Sequence, residues 1–306
     1  MKINHQTKGY IFGAISAASY GTNPLFALPL YKSGMGVNSV LFYRYTIAVV
    51  FMSLLMVFHH LSFRISHKDL TRLVIMGLLF SLSSLFLFSS YDYMDVGIAS
   101  TILFVYPILT AIMMTVFFHE RMTLTTILSI SLAVIGISMT GKTPNGELLN
   151  FTGFSLAFLS AVSYACYIVG CDKTSLNKLP NLKLNFYAIL FGSLLYIINL
   201  HGCTRLQPIP QPSLWIDAIG LGIFPTVISL IFLTKAIKYI GPTPTAILGA
   251  LEPITALSIG CCVFGEVLTT RIIIGIILVL TAVILIIAGK GKEISLVYRI
   301  KINRKK

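Results

Sequence analysis

Residues 9–21 read GYIFGAISAASYG, and residues 153–165 read GFSLAFLSAVSYA. Gly9, Ser16, Ala17, Ser19 and Tyr20 of the first stretch recur as Gly153, Ser160, Ala161, Ser163 and Tyr164 of the second, all at an offset of 144. Later in each half, at an offset of 146, Ser83, Phe86, Leu87 and Tyr93 recur as Ser229, Phe232, Leu233 and Tyr239. Pro107-Ile108 recurs as Pro253-Ile254, Phe118-x-Glu120 as Phe264-x-Glu266, and Thr123 as Thr269, at that same offset. Apolar helices share letters by chance, but prolines and glutamates held in step are harder to obtain that way. The chain therefore reads as two copies of one unit, 9–141 and 151–289, followed by a basic tail, 290–306.

Each copy is written for hydrocarbon. Of the 306 residues, 56% are hydrophobic and only 11% charged, and the mean hydropathy is +0.87. A water-soluble domain carries roughly a quarter of its residues as charges. Ten apolar runs are long enough, as helix, to cross about 30 Å of lipid tails. They are 9–30, 39–58, 72–91, 96–118, 124–140, 151–171, 183–200, 215–234, 241–264 and 270–289. The seventh is the most ambiguous, since Lys183 and Asn185 stand at its start. Turn-forming residues separate the runs, as in Gly34-Met35-Gly36, Thr143-Pro144-Asn145-Gly146 and Pro208 to Pro212. A cleaved leader is one reading of the N-terminus, but the length of run 9–30 and its recurrence favour a retained first helix.

The net charge of +13 raises the question of nucleic acid, and its placement answers against it. With the N-terminus on the cytoplasmic side, 18 of the 23 Lys and Arg fall in cytoplasmic segments and four in outer ones, with Arg44 inside a span. That positive-inside bias predicts both termini in the cytoplasm, with the tail free or against anionic membrane lipid. Five spans per copy is an odd number, so the second copy enters the membrane from the opposite side. The fold class is all-α integral membrane: ten transmembrane helices as two inverted five-helix repeats, a plan that recurs in secondary transporters. Small residues strengthen the reading. Gly9, Gly13, Ala17 and Gly21 form a stripe at spacing four, answered by Gly153, Ala157, Ala161 and Ala165, and such stripes let helix backbones approach closely.

The chain also resembles the EamA family of the drug/metabolite transporter superfamily. The residues that carry the resemblance are Ala17 to Asn23, Arg44, Tyr106-Pro107 and His119-Glu120-Arg121, with Leu251-Glu252-Pro253 and Phe264-Gly265-Glu266 in the second half. His119 stands where the family usually has Gly. The resemblance covers nearly all of 9–289 and implies a bacterial inner-membrane protein with a central cavity lined by both halves. It also implies a small-molecule substrate, by export of amino acids, other metabolites or toxic compounds.

Within the spans, ionisable side chains are the ones that hydrocarbon makes expensive. Glu252 suits a cationic group of a substrate or a transported proton; the alternative is a hydrogen bond to a neighbouring helix. Arg44 suits an anionic group such as a carboxylate, because its planar fork makes paired contacts; the alternative is a side chain that snorkels to the outer interface or pairs structurally. Were both to face one cavity, they would suit a zwitterion. Tyr20, Asn23, Tyr106, Tyr164 and Tyr167 can bond a substrate or one another. Pro24, Pro107, Pro225 and Pro253 remove backbone donors inside spans and are candidate hinges. Glu120 and Glu266 close matched loops, and His59 and His60 sit at the interface. The five cysteines show no zinc or disulfide spacing, and no cofactor or metal is implied. No phosphate-binding GxxxxGK[ST] loop occurs.

A secondary transporter is thus the first reading. A membrane-embedded lipid- or isoprenoid-acting enzyme needs clustered acid–base or metal-binding groups, which this pattern lacks. A non-transport membrane protein has no need of paired inverted halves. The charge distribution makes a direct prediction: a reporter fused after Lys306 will read as cytoplasmic, and one inserted at Pro208 as external.

Overall fold

The computed structural model describes residues 4–93, 99, 102–140, 150–264, 270–271 and 273–286; the basic tail, Glu266 and part of the fourth span lie outside them. Every regular element among the described residues is helical. In a bilayer core this follows from the need to satisfy each backbone N–H and C=O within the segment.

The first span is two helices, α1 (His5–Tyr20) and α2 (Asn23–Lys32). Then come α3 (Val37–Phe58) and α4 (His67–Ser90). The C-terminal part of the fourth span is α5 (Tyr106–Phe118), and α6 (Leu124–Thr140) is the fifth. The second half opens with α7 (Phe151–Lys173) and α8 (Asn181–Asn199). Its third span runs through α9 (Leu214–Gly222), a π-helical turn (Ile223–Ile228) and α10 (Ser229–Ile240). The ninth span is α11 (Pro242–Leu248) and α12 (Leu251–Phe264), and the tenth includes α13 (Ile273–Ile286). Large apolar side chains such as Leu54, Phe117, Ile198 and Ile284 point outward, as a lipid-facing surface requires.

Three of the four prolines read as bends inside spans instead stand at the start of a new helix. Pro24 opens α2, Pro107 opens α5 and Pro253 falls in the first turn of α12. A proline needs no N–H donor in the first turn, so it starts a helix at little cost. Pro225 lies within the π-helical turn, and Pro29, which the sequence did not single out, sits inside α2. The ambiguous seventh span is a full helix. Lys183 reaches back to the Arg64 carbonyl at the basic end, while Asn185 is fully buried and donates to Leu230 O and Thr234 Oγ1, each at 3.0 Å.

The repeat is visible as matched packing. The first span lies along the eighth, α1 on α10, and its counterpart is the sixth along the third, α7 on α4. Each contact carries a hydroxyl bond. Ser16 Oγ donates to Ser229 O at 2.9 Å, and Ser160 Oγ donates to Ser83 O at 2.7 Å. These are the residues paired by the sequence offsets, so the two bonds are copies of one another. A second copied pair joins loops to the central helices α3 and α8. Tyr43 OH donates to Gln207 O at 3.2 Å, and Tyr187 OH donates to Phe63 O. Both positions of that pair are offset by 144. The glycine stripe is in use: a methyl group at Gly9 would strike Tyr239 and Ile240, one at Gly13 Leu248, and one at Gly21 the Glu252 carbonyl.

Matched bonds should have matched energies. Each pair also brings its two hydroxyl oxygens together, at 3.3 Å in Ser16/Ser229 and 3.1 Å in Ser83/Ser160, so double-mutant cycles with alanine at each pair, read by unfolding in detergent, should each return a coupling of about 0.6 kcal/mol. A cycle near zero in one pair alone would break the equivalence.

Candidate functional site

The site forms where the two copies of the tyrosine phrase meet. Tyr20, at the end of α1, stacks on Tyr164 of α7, with ring centroids 6.4 Å apart and planes 17° apart. These residues are counterparts in the repeat, so the pair marks the pseudo-twofold axis. Tyr106 stands edge-on to Tyr164 at 4.7 Å. Its own counterpart is Glu252, and the two side chains lie close enough to interact. The same hydroxyl rests on Gly249 with no room for a Cβ. Gly249 and Ala250 form the turn between α11 and α12, and Glu252 N donates to Gly249 O at 2.9 Å. A broken helix thus brings a carboxyl group and a tyrosine together partway along the ninth span.

Arg44 of α3 lies beside this group and is fully buried. Its Nε donates to Thr226 Oγ1 at 2.7 Å, and Nη2 reaches Pro225 O at 3.5 Å. Thr226 spends its own proton on Leu221 O at 2.9 Å, which turns a lone pair toward Arg44. Both partners belong to the π-helical turn. The guanidinium carbon is 5.7 Å from the Tyr20 ring centroid and 5.8 Å from that of Phe88. Nη1 is buried without a partner. Of the two structural alternatives for Arg44, it is the pairing that is seen and not the snorkelling: the side chain stays inside, held by the eighth span.

Other predicted residues divide. Asn23 begins α2 next to Tyr20, and its Oδ1 is buried and unpartnered. Tyr167 stacks on Tyr164 at 6.4 Å, but its hydroxyl donates to Asn185 Oδ1 at 3.5 Å, which ties it to packing between helices. Sequence reading missed Thr226, Phe88 and Tyr31, whose hydroxyl is also buried and unpartnered. Threonine, phenylalanine and tyrosine are ordinary residues in apolar spans, so only the fold singles them out. Among the described residues the ion pairs are Arg72–Asp69 at 3.7 Å and Lys173–Asp172 at 2.9 Å. Arg44 and Glu252 thus face the interior as charged types with no ion-pair partner. A separate cavity of about 270 Å³ lies behind Phe104, lined by residues such as Ile102, Val134 and Phe158. Its lining is apolar except for Ser138, and the Phe104 ring, one of the lining groups, is 5.4 Å from Tyr106.

The EamA-like transporter family matches this chain twice, at residues 7–141 and 151–288. The chain belongs to that family, within the drug/metabolite transporter superfamily, and is a multi-pass membrane transporter. It is 30% identical over 193 residues to an uncharacterized transporter of Archaeoglobus fulgidus, covering 62% of this chain and 67% of the relative. A second transporter of that organism is 25% identical over 252 residues, covering 80% and 86%. A transporter of Synechocystis is 28% identical over 218 residues, covering 69% and 64%. A solved crystal structure superposes with a TM-score of 0.77 at 16% identity, over 92% of this chain and 96% of the other, which is a likeness of fold.

The contact between Gly249 and Tyr106 makes a prediction. Gly249→Ala should destabilise the protein by about 1–3 kcal/mol, as overpacking does. Because the clash is with a hydroxyl, adding Tyr106→Phe should recover part of the loss. Unfolding in detergent measures both, and strict additivity would contradict the geometry.

Proposed function

We propose that this protein is a secondary exporter of a small metabolite such as an amino acid. It works by alternating access between its two inverted halves, across a bacterial inner membrane with both termini in the cytoplasm. The observation that carries the reading is the meeting of counterpart residues, Tyr20 with Tyr164 and Tyr106 with Glu252, at one point. A binding group on the axis of an inverted repeat stays in place while the halves exchange conformations around it, so it serves both faces.

In this reading Glu252 takes the cationic group of the cargo or a proton in its absence, and Tyr106 orients the carboxylate. Tyr20 and Asn23 supply further polar contacts. The breaks before Pro24, Pro107 and Pro253, and the π-helical turn at Pro225, are the places where the spans bend. The small-residue contacts between α1 and its neighbours allow sliding without opening voids. The basic ends of the spans support the cytoplasmic placement of the termini.

The test is to profile small molecules in the medium of cells expressing the protein beside cells expressing Glu252→Gln. One compound class should accumulate outside with the wild type and fall roughly tenfold in the variant, the cost of losing one ionic contact. A wild-type profile equal to that of empty cells, with the protein folded in the membrane, would rule export out.

A further inference from the structure

Arg44 is an oddity of the repeat as well as of the membrane. Phe42-Tyr43-Arg44 of α3 aligns with Phe186-Tyr187-Ala188 of α8 at an offset of 144. The structure agrees with that alignment in two ways. Tyr43 and Tyr187 make the copied bonds to Gln207 and Phe63. Gly222 packs on the Arg44 carbonyl as Gly77 packs on the Ala188 carbonyl, with ideal Cβ distances of 3.3 and 2.5 Å. The fold therefore accepts alanine at this position, and helix packing does not require a guanidinium. An unneeded buried cation costs several kcal/mol.

Its geometry says what the charge serves. Nε and Nη2 are fixed by Thr226 and Pro225, and two aromatic rings flank the group. Nη1 is left with no partner in a fully buried side chain. Tyr31, whose ring lies 6.0 Å from Phe88, brings a second buried hydroxyl that bonds to nothing. The acidic residue on Tyr31's side is Asp92, on the exposed turn after α4; it makes no ion pair with Arg44. Glu252, the other acid near Tyr20, makes no ion pair with Arg44 either. A donor held in place, with another hydroxyl near it and no acid paired to it among the described residues, is a receptor for an external carboxylate, the acceptor that a guanidinium binds best.

We propose that Arg44 is the docking site for a carboxylate of the transported molecule, with Nη1 as the donor and the Tyr31 hydroxyl as its helper. This rests on the transport reading and narrows its cargo to molecules that bear a carboxylate. Cargo then enters this half of the site acid-first, and an amide or ester of the same skeleton is refused.

Two measurements separate this from export itself. The first uses purified full-length protein in detergent, with benzoate and its uncharged twin benzamide at equal ionic strength. Benzoate should raise the unfolding midpoint of the wild type by about 3 °C, and benzamide should not. Arg44→Gln and Arg44→Ala should fold and lose the shift, Tyr31→Phe should weaken it, and Asp92→Asn should keep it. No shift in the wild type, an equal shift with benzamide, or a shift surviving in both Arg44 variants overturns the site. The second is the medium profile: compounds exported by the wild type should bear a carboxylate and should drop at least tenfold in Arg44→Gln. Carboxylate binding without any exported compound would leave the site standing and defeat export. Export of carboxylate-free cargo untouched by Arg44→Gln would do the reverse.

Discussion

Everything in this molecule depends on how closely α1 can approach α10, and α7 approach α4. Lipid tails are as apolar as leucine, so burial gives helices little reason to associate inside a bilayer; contact area and interhelical hydrogen bonds must do it. Gly9, Gly13 and Ala17 bring the α1 backbone against its neighbours, and that proximity lets Ser16 reach a backbone carbonyl of the opposite half. Ala157, Ala161 and Ala165, all fully buried, do the same for Ser160. Bulkier side chains in either stripe would push the serine out of range. The two halves are held by one joint made twice.

On that symmetric frame the charges are placed asymmetrically. Glu252 answers to Tyr106, and Arg44 answers to Ala188. The joints repeat because packing has no preferred half, whereas a cargo with distinct ends needs different chemistry at its two ends. The backbone follows the charges. Around Arg44 the eighth span forms a π-helical turn, while the corresponding stretch of the third span, inside α4, is regular α-helix. Thr226 and the Pro225 carbonyl, both in that turn, grip Arg44.

The repeat, the helical class and the ionisable positions could be read from the sequence because they depend on letters alone: offsets, apolar length, and charges where charge is costly. The matched serines were on that list, although their bonding was not. What stayed hidden depends on backbone geometry. Nothing in Pro24, Pro107 or Pro253 separates a kink from a helix start, and only the turns before them do so. Thr226 and Tyr31 look like filler until a π-helical turn and a helix end bring them to Arg44. Tyr167 was legible as a polar position, but Asn185, at the start of a doubtful span, turns its hydroxyl toward packing.

The broken helices complete the physical picture. A continuous helix satisfies its own backbone and presents only side chains. A break in mid-span leaves backbone groups to be satisfied by neighbours, which lipid cannot do. The ninth span meets that demand inside the protein. Gly249 accepts from Glu252 N, carries no side chain, and so admits the Tyr106 hydroxyl to the turn. Gly21, where the first span breaks, packs directly on the Glu252 carbonyl. The two breaks therefore cover one another, and the carboxylate sits where they touch. A shift of either helix end must move the other, so the groups proposed to meet cargo are also those on which the two halves bear.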